Sequence, residues 1–337
     1  ADNTTGKLEI AQDSIIETFS HSGSSRIDIA DTKTLTLNNA FEIPAGKSME
    51  LPGAGGGTLS LADKLTLSGT LKVNAAYTIK DGTIELGEAS LLDADYNTSI
   101  ASNILISGNS TIDIASGVNL IYEGVVIDLL NFQLTMLGSG TFSNTNSILL
   151  SVSDSLLIIA GDVTIAKIKV AANSAEGKGL LVRSTDANVT NLNLLADMRL
   201  SYSDDSHELN VENLNVDSTS KIIGDDSEGW LLVTEVVQQA DVILTLQDVN
   251  VRVKKELKID YKDQVVMTGS TVFEIGGGLT FNVSGTMNFN RSMIANINLN
   301  GGTMCVTDNV TISGEIRHTA TNSTIFIAPD KVLTYEG

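Results

Sequence analysis

The chain is poor in the residues that hold together disulfide-linked and thiolate-metal domains. Its 337 residues include one cysteine, three prolines and one tryptophan. A single cysteine excludes a disulfide within the chain and a metal site built from several thiolates. Because Cys305 stands between Met304 and Val306, we expect it to be a small buried apolar side chain.

Positive charge is also scarce. Lys and Arg number 21 against 41 Asp and Glu, which gives a net charge of −20 and an isoelectric point near 4.4. Nucleic-acid binding needs clustered Lys and Arg on the protein surface. The composition therefore argues against a nucleic-acid partner and against docking on anionic membranes, whereas it suits solubility and cation binding.

Long apolar runs are missing as well. No window reaches the roughly 18 to 20 apolar residues that a membrane helix needs, so no membrane insertion is expected. The first ten residues, ADNTTGKLEI, have neither the basic nor the apolar region of a signal peptide. If the protein is exported, its signal was removed or lies outside these residues.

Strand patterns, by contrast, occur almost everywhere. The recurrent unit is an apolar-x-apolar triplet, the period of two expected of a strand with one buried face. Examples are Leu35-Thr36-Leu37, Leu71-Lys72-Val73, Ile112-Asp113-Ile114 and Leu192-Asn193-Leu194. Turn-forming Gly, Asn, Asp and Ser separate these short runs. The scarcity of Asn-Gly and Asp-Gly pairs argues against a meander of two-residue hairpins.

A degenerate motif of two strands broken by a glycine also repeats. It reads LTLSGTLKV at 65–73, ILISGNSTIDI at 104–114 and LTMLGSGTF at 134–142. Glycine accepts a positive φ, so it permits a sharp corner where another side chain would clash. We therefore expect two strands to meet at each glycine corner, as in one coil of a β-helix.

Approximate repeats of 22 to 24 residues indicate how the coils stack. TNLNLL (190–195) aligns with ENLNVD (212–217), Leu35 with Leu59, and Leu257 with Leu279. Such a period predicts an all-β parallel β-helix (β-solenoid) of roughly 15 imperfect coils. We expect one domain over residues 1–337, with less regular coils around 145–185 and 225–250.

Asparagine recurs at matching places in these repeats. The residues concerned are Asn191, Asn193, Asn213, Asn215, Asn282, Asn288, Asn290, Asn296, Asn298 and Asn300. Stacked coils can align such amides into hydrogen-bonded ladders. The alternative is that asparagine is simply common in this chain, and the sequence leaves both interpretations open.

With these motifs, the chain resembles secreted parallel β-helix proteins of the autotransporter-passenger and large bacterial adhesin type. Segments such as ISGNSTIDIASGVNLIY and LTFNVSGTMNFN are similar to their degenerate coils. The resemblance covers most of the chain and is one of composition and period. It implies a right-handed solenoid, export, and a role in adhesion or surface assembly, but it transfers no functional residue.

Two acidic clusters are candidate calcium ligands, because calcium is bound by several oxygen atoms. One contains Asp204, Asp205 and Glu208, and the other contains Asp225, Asp226 and Glu228. Neither matches an EF-hand loop or a glycine-rich calcium repeat. A solvated acidic loop is the plainer interpretation of both clusters. No other metal and no cofactor is expected.

The one basic stretch is VRVKKELKIDYK at 251–262. Its alternation places Arg252, Lys254 and Lys258 on the wet face of a strand. The stretch is either a solvated face or a surface for self-assembly, which would meet the acidic surface of a neighbouring subunit.

Evidence for catalysis is weak. The glycine-rich segments at 53–57 and 276–278 lack the Gly-Lys-Ser/Thr of a phosphate loop, and no Gly-x-Ser-x-Gly elbow is present. The three histidines have no partners at zinc-ligand spacing. We therefore expect a non-enzyme without catalytic residues. The alternative is a carbohydrate-active β-helix, either a polysaccharide lyase or a phage-type tailspike, whose site would be gathered from successive coils.

The sequence thus favours a non-catalytic extracellular or cell-surface protein: a surface layer, a filament subunit or an adhesin stalk. We expect lateral or end-to-end self-association into a homo-oligomer or filament, since strands at the ends of a solenoid leave backbone groups unpaired. A host or cell-surface glycan or protein is the other partner considered. A third hypothesis is a passive spacer that holds a further domain.

Overall fold

Parallel strands make up the computed structural model. It describes residues 6–20, 23–53, 56–225, 229–239, 241–259, 264–268, 272–275, 280–283, 286–289, 293–294, 296–299, 301–318 and 322–336. Within these residues the chain is all-β, contains no helix and stacks its parallel sheets as a β-solenoid of about 13 turns. The predicted fold class is confirmed.

The chain divides into two compact units, residues 1–167 and 168–337. This division does not decide whether the chain is one domain, so the single domain over residues 1–337 stays a prediction. The strands that begin in the first unit are β1 (Gly6–Ile10), β2 (Ser14–Ile16), β3 (Ser25–Ile29), β4 (Thr34–Leu37), β5 (Phe41–Ile43), β6 (Ser48–Leu51), β7 (Thr58–Leu61), β8 (Lys64–Leu67), β9 (Thr70–Val73), β10 (Thr78–Lys80), β11 (Thr83–Leu86), β12 (Ser90–Ala94), β13 (Thr98–Ile100), β14 (Asn103–Ile106), β15 (Ser110–Ile114), β16 (Asn119–Tyr122), β17 (Ile127–Asp128), β18 (Gln133–Gly138), β19 (Thr141–Asn144), β20 (Ile148–Leu150), β21 (Leu156–Ile159) and β22 (Thr164–Val170).

Successive strands of the first unit belong to different sheets. The first sheet follows the order β1-β3-β6-β9-β12-β15-β18-β21, and the second contains β2, β4, β7, β10, β13, β16, β19 and β22. The third contains β5, β8, β11 and β14, beside which lie β17 and its partner β20. Each coil therefore contributes one short strand to each sheet in turn.

The second unit also stacks parallel strands, several of which are longer than those of the first unit. Its strands are β23 (Gly179–Val182), β24 (Ala187–Leu194), β25 (Met198–Tyr202), β26 (Glu208–Val216), β27 (Ser220–Ile223), β28 (Trp230–Gln238), β29 (Ile243–Gln247), β30 (Asn250–Ile259), β31 (Gln264–Thr268), β32 (Val272–Ile275), β33 (Thr280–Val283), β34 (Thr286–Phe289), β35 (Met293–Ile294), β36 (Asn296–Leu299), β37 (Thr303–Val306), β38 (Val310–Ser313), β39 (Ile316–His318), β40 (Thr324–Ile327) and β41 (Leu333–Tyr335).

One of its sheets runs β23-β25-β27-β29-β31-β34-β37-β40. The long strands β24, β26, β28 and β30 stack on one another. The first half of β30 then pairs with β32 and its second half with β33, so one long strand gives way to two short ones. The pairing of β28 with β30 shifts register between Val233 and Glu235, within the segment 225–250 that was predicted to be less regular.

The core lies inside the coils, because alternate residues of each strand point inward. In β4 and β9 the burial alternates residue by residue, with Leu35, Leu37, Leu71 and Val73 fully enclosed. Branched aliphatic residues suit this geometry since they pack well on pleated surfaces. The apolar-x-apolar pattern therefore marked the buried face as expected.

The predicted alignments hold in two of three cases. Asn191 pairs with Asn213 and Leu35 pairs with Leu59. The alignment of Leu257 with Leu279 is wrong by two positions, because Lys258 pairs with Asn282; Leu279 itself lies outside the described residues.

The number of turns, about 13, is slightly below the roughly 15 expected. That expectation divided the chain length by one period. The spacing of paired residues is not constant: it ranges from 16 positions, between Thr280 and Asn296, to 24, between Arg26 and Glu50, so division by a single period gives only an approximate number of turns. Loops such as 171–178 also lengthen the chain without adding a strand.

The glycine corners have two physical causes rather than one. Gly138 has a φ of 80°, as expected of a corner that needs a positive φ. Gly69 has no positive φ. A Cβ atom there would lie 2.3 Å from the carbonyl oxygen of Lys47 and 2.4 Å from that of Pro44. Space between coils, not φ, therefore requires glycine at position 69.

Polar side chains tie each coil to the next. Asn109 Oδ1 accepts the backbone N–H of Gln133 at 2.9 Å, and the N–H of Asn109 is in turn donated to Glu88 at 2.9 Å. In the second unit Asp197 Oδ1 accepts the N–H of Lys221 at 2.8 Å, and Asp197 N–H is donated to Asn173 at 3.0 Å. These bonds satisfy backbone donors at the corners, where strand pairing ends.

Candidate functional site

A column of charged side chains runs along the outer face of the first sheet in the first unit. It is formed by Lys7, Arg26, Glu50, Lys72, Asp93 and Asp113, whose strands pair in this register. We call these six residues the charged column. Opposite charges meet at Arg26 and Glu50, whose Nε and Oε2 are 3.4 Å apart.

The carboxylates converge around Lys72. Its Nζ lies 3.1 Å from Asp93 Oδ2 and 2.7 Å from Asp95 Oδ2. The hydrogen bonds that the Lys72 ammonium donates to Asp95 and Asp93 raise the pKa of Lys72, which keeps the ammonium protonated. One ammonium group therefore forms ion pairs with two carboxylates on the neighbouring coil.

For Asp113 the charge of Lys72 and a backbone hydrogen bond with Ile114 only partly offset the causes that raise its pKa. Asp113 stands directly opposite Asp93, and like charges at opposed positions of a sheet destabilise it. Partial burial raises the pKa of Asp113, and the charges of Asp93 and Asp95 raise it further. The cluster of Lys72, Asp93, Asp95 and Asp113 is thus the place in the first unit where acidic groups from three positions crowd one cation.

Sequence reasoning missed this cluster, although a signal existed. The middle residue of LKV (71–73), LDA (92–94) and IDI (112–114) is charged in each case. The period of two places these middle residues on the outer face, but only the register shows that they are neighbours.

Apolar side chains form a second feature of the first unit. Six of them are between 38% and 56% exposed: Leu105, Ile121, Val125, Val126, Leu130 and Val152. We call these six residues the lateral apolar surface. They lie on β14, on β16 and at the corners that enter and leave β17 and β20.

Hydrogen bonds hold these corners together. The N–H of Val125 is donated to Asn103 Oδ1 at 3.3 Å on the preceding coil. Ser155 Oγ accepts the N–H of Val152 at 3.3 Å and donates to the carbonyl of Leu130 at 2.5 Å. Neighbouring coils thus present their exposed apolar residues from corners that are fixed to one another.

Leu130 also carries backbone strain. Its φ is 48°, a left-handed value that a bulky residue rarely adopts. Its N–H is donated to Asp128 Oδ1 at 3.0 Å, which stabilises the turn. A strained and exposed leucine is a reason to look for function at this corner.

The structure describes some of the predicted calcium ligands and leaves out others. Asp204 Oδ1 accepts the N–H of Ser206 at 2.9 Å and its hydroxyl at 2.8 Å, and these bonds lower the pKa of Asp204. This oxygen of Asp204 therefore organises its own loop, while Asp205 is exposed in the same loop and Glu208 begins β26. Within the described residues no group of three or more His, Cys, Asp or Glu side chains is placed to hold a metal ion.

The second acidic loop begins at Asp225, which is exposed. Asp226 and Glu228 lie outside the described residues. Burial is the main cause that raises the pKa of the nearby Tyr202, and the charges of Asp225 and Glu208 add to it. Calcium binding at either loop stays a prediction.

Two of the three basic residues predicted for self-assembly, Arg252 and Lys254, are engaged within the chain. The Arg252 guanidinium lies 4.5 Å from the centre of the Trp230 ring, a cation–π contact. Lys254 Nζ donates to Asn210 Oδ1. The Lys258 side chain lies outside the described part of the chain, so the assembly role of this stretch stays a prediction.

The amide ladder is present in the second unit. Asn215 Nδ2 donates to Asn193 Oδ1 at 2.7 Å, and Asn213 Nδ2 donates to Asn191 Oδ1 at 3.3 Å. We call these four residues the amide column. Of the two interpretations that the sequence left open, the ladder is correct for them.

Cys305 differs from the expectation of a buried residue. It is partly exposed on the outer side of β37, whereas Met304 and Val306 point inward. The prediction was wrong because the period of two places the residue between two inward side chains on the outer face. Partial burial raises the pKa of the thiol.

Nothing in the described part of the chain is a helix of the length and hydrophobicity needed to cross a bilayer. No protein-family model, no curated protein and no solved structure matches this chain. The class supported by the structure is therefore the β-solenoid, and the autotransporter-passenger or adhesin type is a matter for proposal.

Proposed function

We propose that this chain is a non-catalytic structural or adhesive protein that works outside the cell, as part of a surface layer, a filament or an adhesin stalk. It acts by self-association along its sides or end to end. The lateral apolar surface is the observation that carries the lateral part of this proposal.

The lateral apolar surface groups six exposed aliphatic residues on neighbouring coils, whereas scattered single apolar residues would need no explanation. A solenoid is stabilised by contacts between successive coils, so its outer faces are available for partners. Covering this surface removes apolar area from water, which favours association.

Charge supports the same proposal through a testable condition. With a net charge of −20, two copies repel each other at long range. Salt screens that repulsion, since the Debye length falls from about 10 Å at 0.1 M to about 3 Å at 1 M. Lateral association of this kind is therefore expected to strengthen as salt rises.

Sedimentation velocity over a concentration series, at low and high salt and with and without calcium, tests the proposal. Association that increases with salt supports it, and electron micrographs should then show laterally paired or end-joined particles. Single particles at high concentration under every condition would remove its basis.

A pair of substitutions locates the lateral contact. Val125→Ser with Val126→Ser should weaken association about tenfold or more, because two exposed apolar side chains no longer leave water. Val237→Ser is the control, since the exposure of Val237, 42%, lies between the 39% of Val126 and the 56% of Val125, but Val237 lies in the second unit. Equal effects of the two changes on association would exclude the lateral apolar surface as the site of contact between copies.

A second candidate is a carbohydrate-active β-helix, and one observation favours it. Lys72 and the carboxylates Asp93, Asp95 and Asp113 come from successive coils, as the acid and base groups of such enzymes would. Turnover on a panel of acidic polysaccharides tests this function. Activity that is lost in Lys72→Ala but kept in Lys64→Ala, where Lys64 pairs with Glu85 at 2.5 Å, would replace the structural proposal.

A further inference from the structure

Tyr202 differs from Tyr77 and Tyr122, which are also buried, in the bonding of its hydroxyl group. The Tyr77 hydroxyl accepts the backbone N–H of Ile29 at 3.2 Å, and the Tyr122 hydroxyl accepts that of Ile104 at 3.1 Å. Tyr202 is only 6% exposed, yet among the described residues its hydroxyl has no hydrogen-bond partner. A buried hydroxyl without a partner costs free energy, so such a group in a protein usually bonds to a water molecule or to a bound ion.

The backbone of the next coil fixes the position of the Tyr202 ring. A Cβ atom at Gly229 would lie 2.3 Å from Cγ of the ring and 2.7 Å from Cδ1 and Cδ2, so the backbone of Gly229 lies over the face of the ring. The N–H of Trp230 is donated to the carbonyl of His207 at 3.1 Å, and Trp230 pairs with Glu208. The start of β28 is therefore held on the start of β26, beside Tyr202.

Two successive coils each contribute a carboxylate near the Tyr202 hydroxyl. Glu208 begins β26, and Asp225 follows β27 on the next coil. Both charges act on the Tyr202 phenol and add to the effect of burial in raising its pKa. Two carboxylates that lie near the same group repel each other, and a bound cation removes this repulsion. The net charge of −20 also attracts cations to the protein.

We propose that Glu208 and Asp225 bind a divalent cation beside the Tyr202 hydroxyl, which contacts the ion or one of its water ligands. Calcium fits best, because it is bound by carboxylate and neutral oxygen atoms in a flexible geometry that includes water. The two acidic loops of the sequence then contribute to one site instead of two. With two carboxylates we expect a dissociation constant of about 10⁻⁴ to 10⁻³ M.

Terbium luminescence tests the site, because Tb³⁺ occupies calcium sites and a nearby tryptophan sensitises its emission. Trp230 is the only tryptophan of the chain and pairs with Glu208. Tb³⁺ should therefore emit on excitation of Trp230, and Ca²⁺ should displace it. If the natural chain gives no sensitised emission and no rise in unfolding temperature up to about 10 mM Ca²⁺, well above the expected constant, the proposal is overturned.

A pair of double variants locates the ligands. Glu208→Gln with Asp225→Asn removes both carboxylates and should weaken Ca²⁺ binding at least about tenfold, because neutral amides attract the ion less. Glu212→Gln with Asp217→Asn is the matched control, since it changes the net charge equally and alters exposed acids on and just after β26. This control should keep the affinity to within about twofold, because solvent screens exposed charges. An equal loss in both variants would show general attraction to an acidic surface and would exclude the site.

Tyr202→Phe distinguishes a role in ion binding from a purely structural role. Without calcium, loss of this hydroxyl should leave the unfolding temperature unchanged or raise it, because no hydrogen bond within the chain is lost. The variant should nevertheless bind Ca²⁺ about threefold or more weakly, since the ion or its water loses a partner. If Tyr202→Phe binds Ca²⁺ as tightly as the natural chain, the hydroxyl is not part of the ion's surroundings and the proposal fails.

Tyr77→Phe is the control for the change of side chain. The Tyr77 hydroxyl accepts from Ile29 and donates to the carbonyl of Pro52, so its loss should lower the unfolding temperature equally with and without calcium. Circular dichroism checks the fold of every variant. The titrations are made where sedimentation velocity shows single chains, so the result does not depend on self-association. Failure of the calcium site therefore leaves the lateral contact intact, and the reverse also holds.

Discussion

The charged column of the first unit and the amide column of the second unit both place polar side chains above one another on successive coils. The two columns do so with different chemistry. In the amide column identical residues stack, because an amide donates through Nδ2 and accepts through Oδ1. Asn215 and Asn193 form such a bond at 2.7 Å.

Carboxylates cannot stack in this way, because an ionised carboxylate only accepts. In the charged column a favourable contact requires alternating sign, as between Lys72 and Asp93. Where two acids are neighbours, at Asp93 and Asp113, the pKa of Asp113 is raised by partial burial and by the charge of Asp93. Repetition of one residue therefore stabilises a solenoid if the residue is an amide and destabilises it if the residue is an acid.

Asn215→Asp should have the largest effect, because it replaces a side-chain amide that donates a hydrogen bond with a carboxylate that can only accept one. The donor to Asn193 Oδ1 is lost and two oxygens then face each other, so we expect the free energy of unfolding to fall by about 1–2 kcal/mol. Urea unfolding measures this loss. Asn193→Asp is the control: its oxygen still accepts from Asn215, so it should change stability by less than about 0.5 kcal/mol.

Lys72→Met is expected to have the next largest effect. It removes the cation shared by Asp93 and Asp95. Because the Lys72 side chain is 37% exposed, solvent screens the interaction and the loss should be about 1 kcal/mol at low salt. Lys64→Met, which leaves one carboxylate without its partner, should cost less; a larger loss there would contradict the special position of Lys72.

Asp113→Asn should stabilise the first unit, by about 0.5 kcal/mol near pH 7. The folded pKa of Asp113 lies above the unfolded value. The stability linked to this group is therefore fully present below the ordinary aspartate pKa of about 4 and is lost as the pH rises through the folded pKa. Thermal unfolding of both proteins at pH 7 and pH 3 should show a gain that disappears in acid. A stabilisation of equal size at pH 3 would show that removal of the Asp113 charge is not its cause.

Added salt should produce the smallest change in stability, but this change should still distinguish the charged column from the amide column. Raising NaCl from 0.1 M to 1 M should reduce the cost of Lys72→Met by a few tenths of a kcal/mol, because charges are screened. The cost of Asn215→Ala should not change, since no charge is involved. Equal salt dependence of the two costs would mean that the columns do not differ as described.

Several features of the fold could be predicted from the sequence. The triplets around Leu35 and Leu71 showed which residues face the core, and TNLNLL with ENLNVD showed the register of Asn191 on Asn213. The Lys72 cluster could not be predicted, because Lys72 and Asp93 are 21 positions apart while Asp93 and Asp113 are 20 apart. A shift of one residue in register moves every side chain to the other face, so an approximate period does not identify neighbours.

The sequence by itself determined the alternation of inward and outward residues, because a strand has a fixed period of two. It thereby determined a core of Leu, Ile and Val and a polar outer face. The tertiary structure decided which outward residues meet, since coils of unequal length set the register separately at each step. For that reason only the folded chain shows Asp113 opposite Asp93.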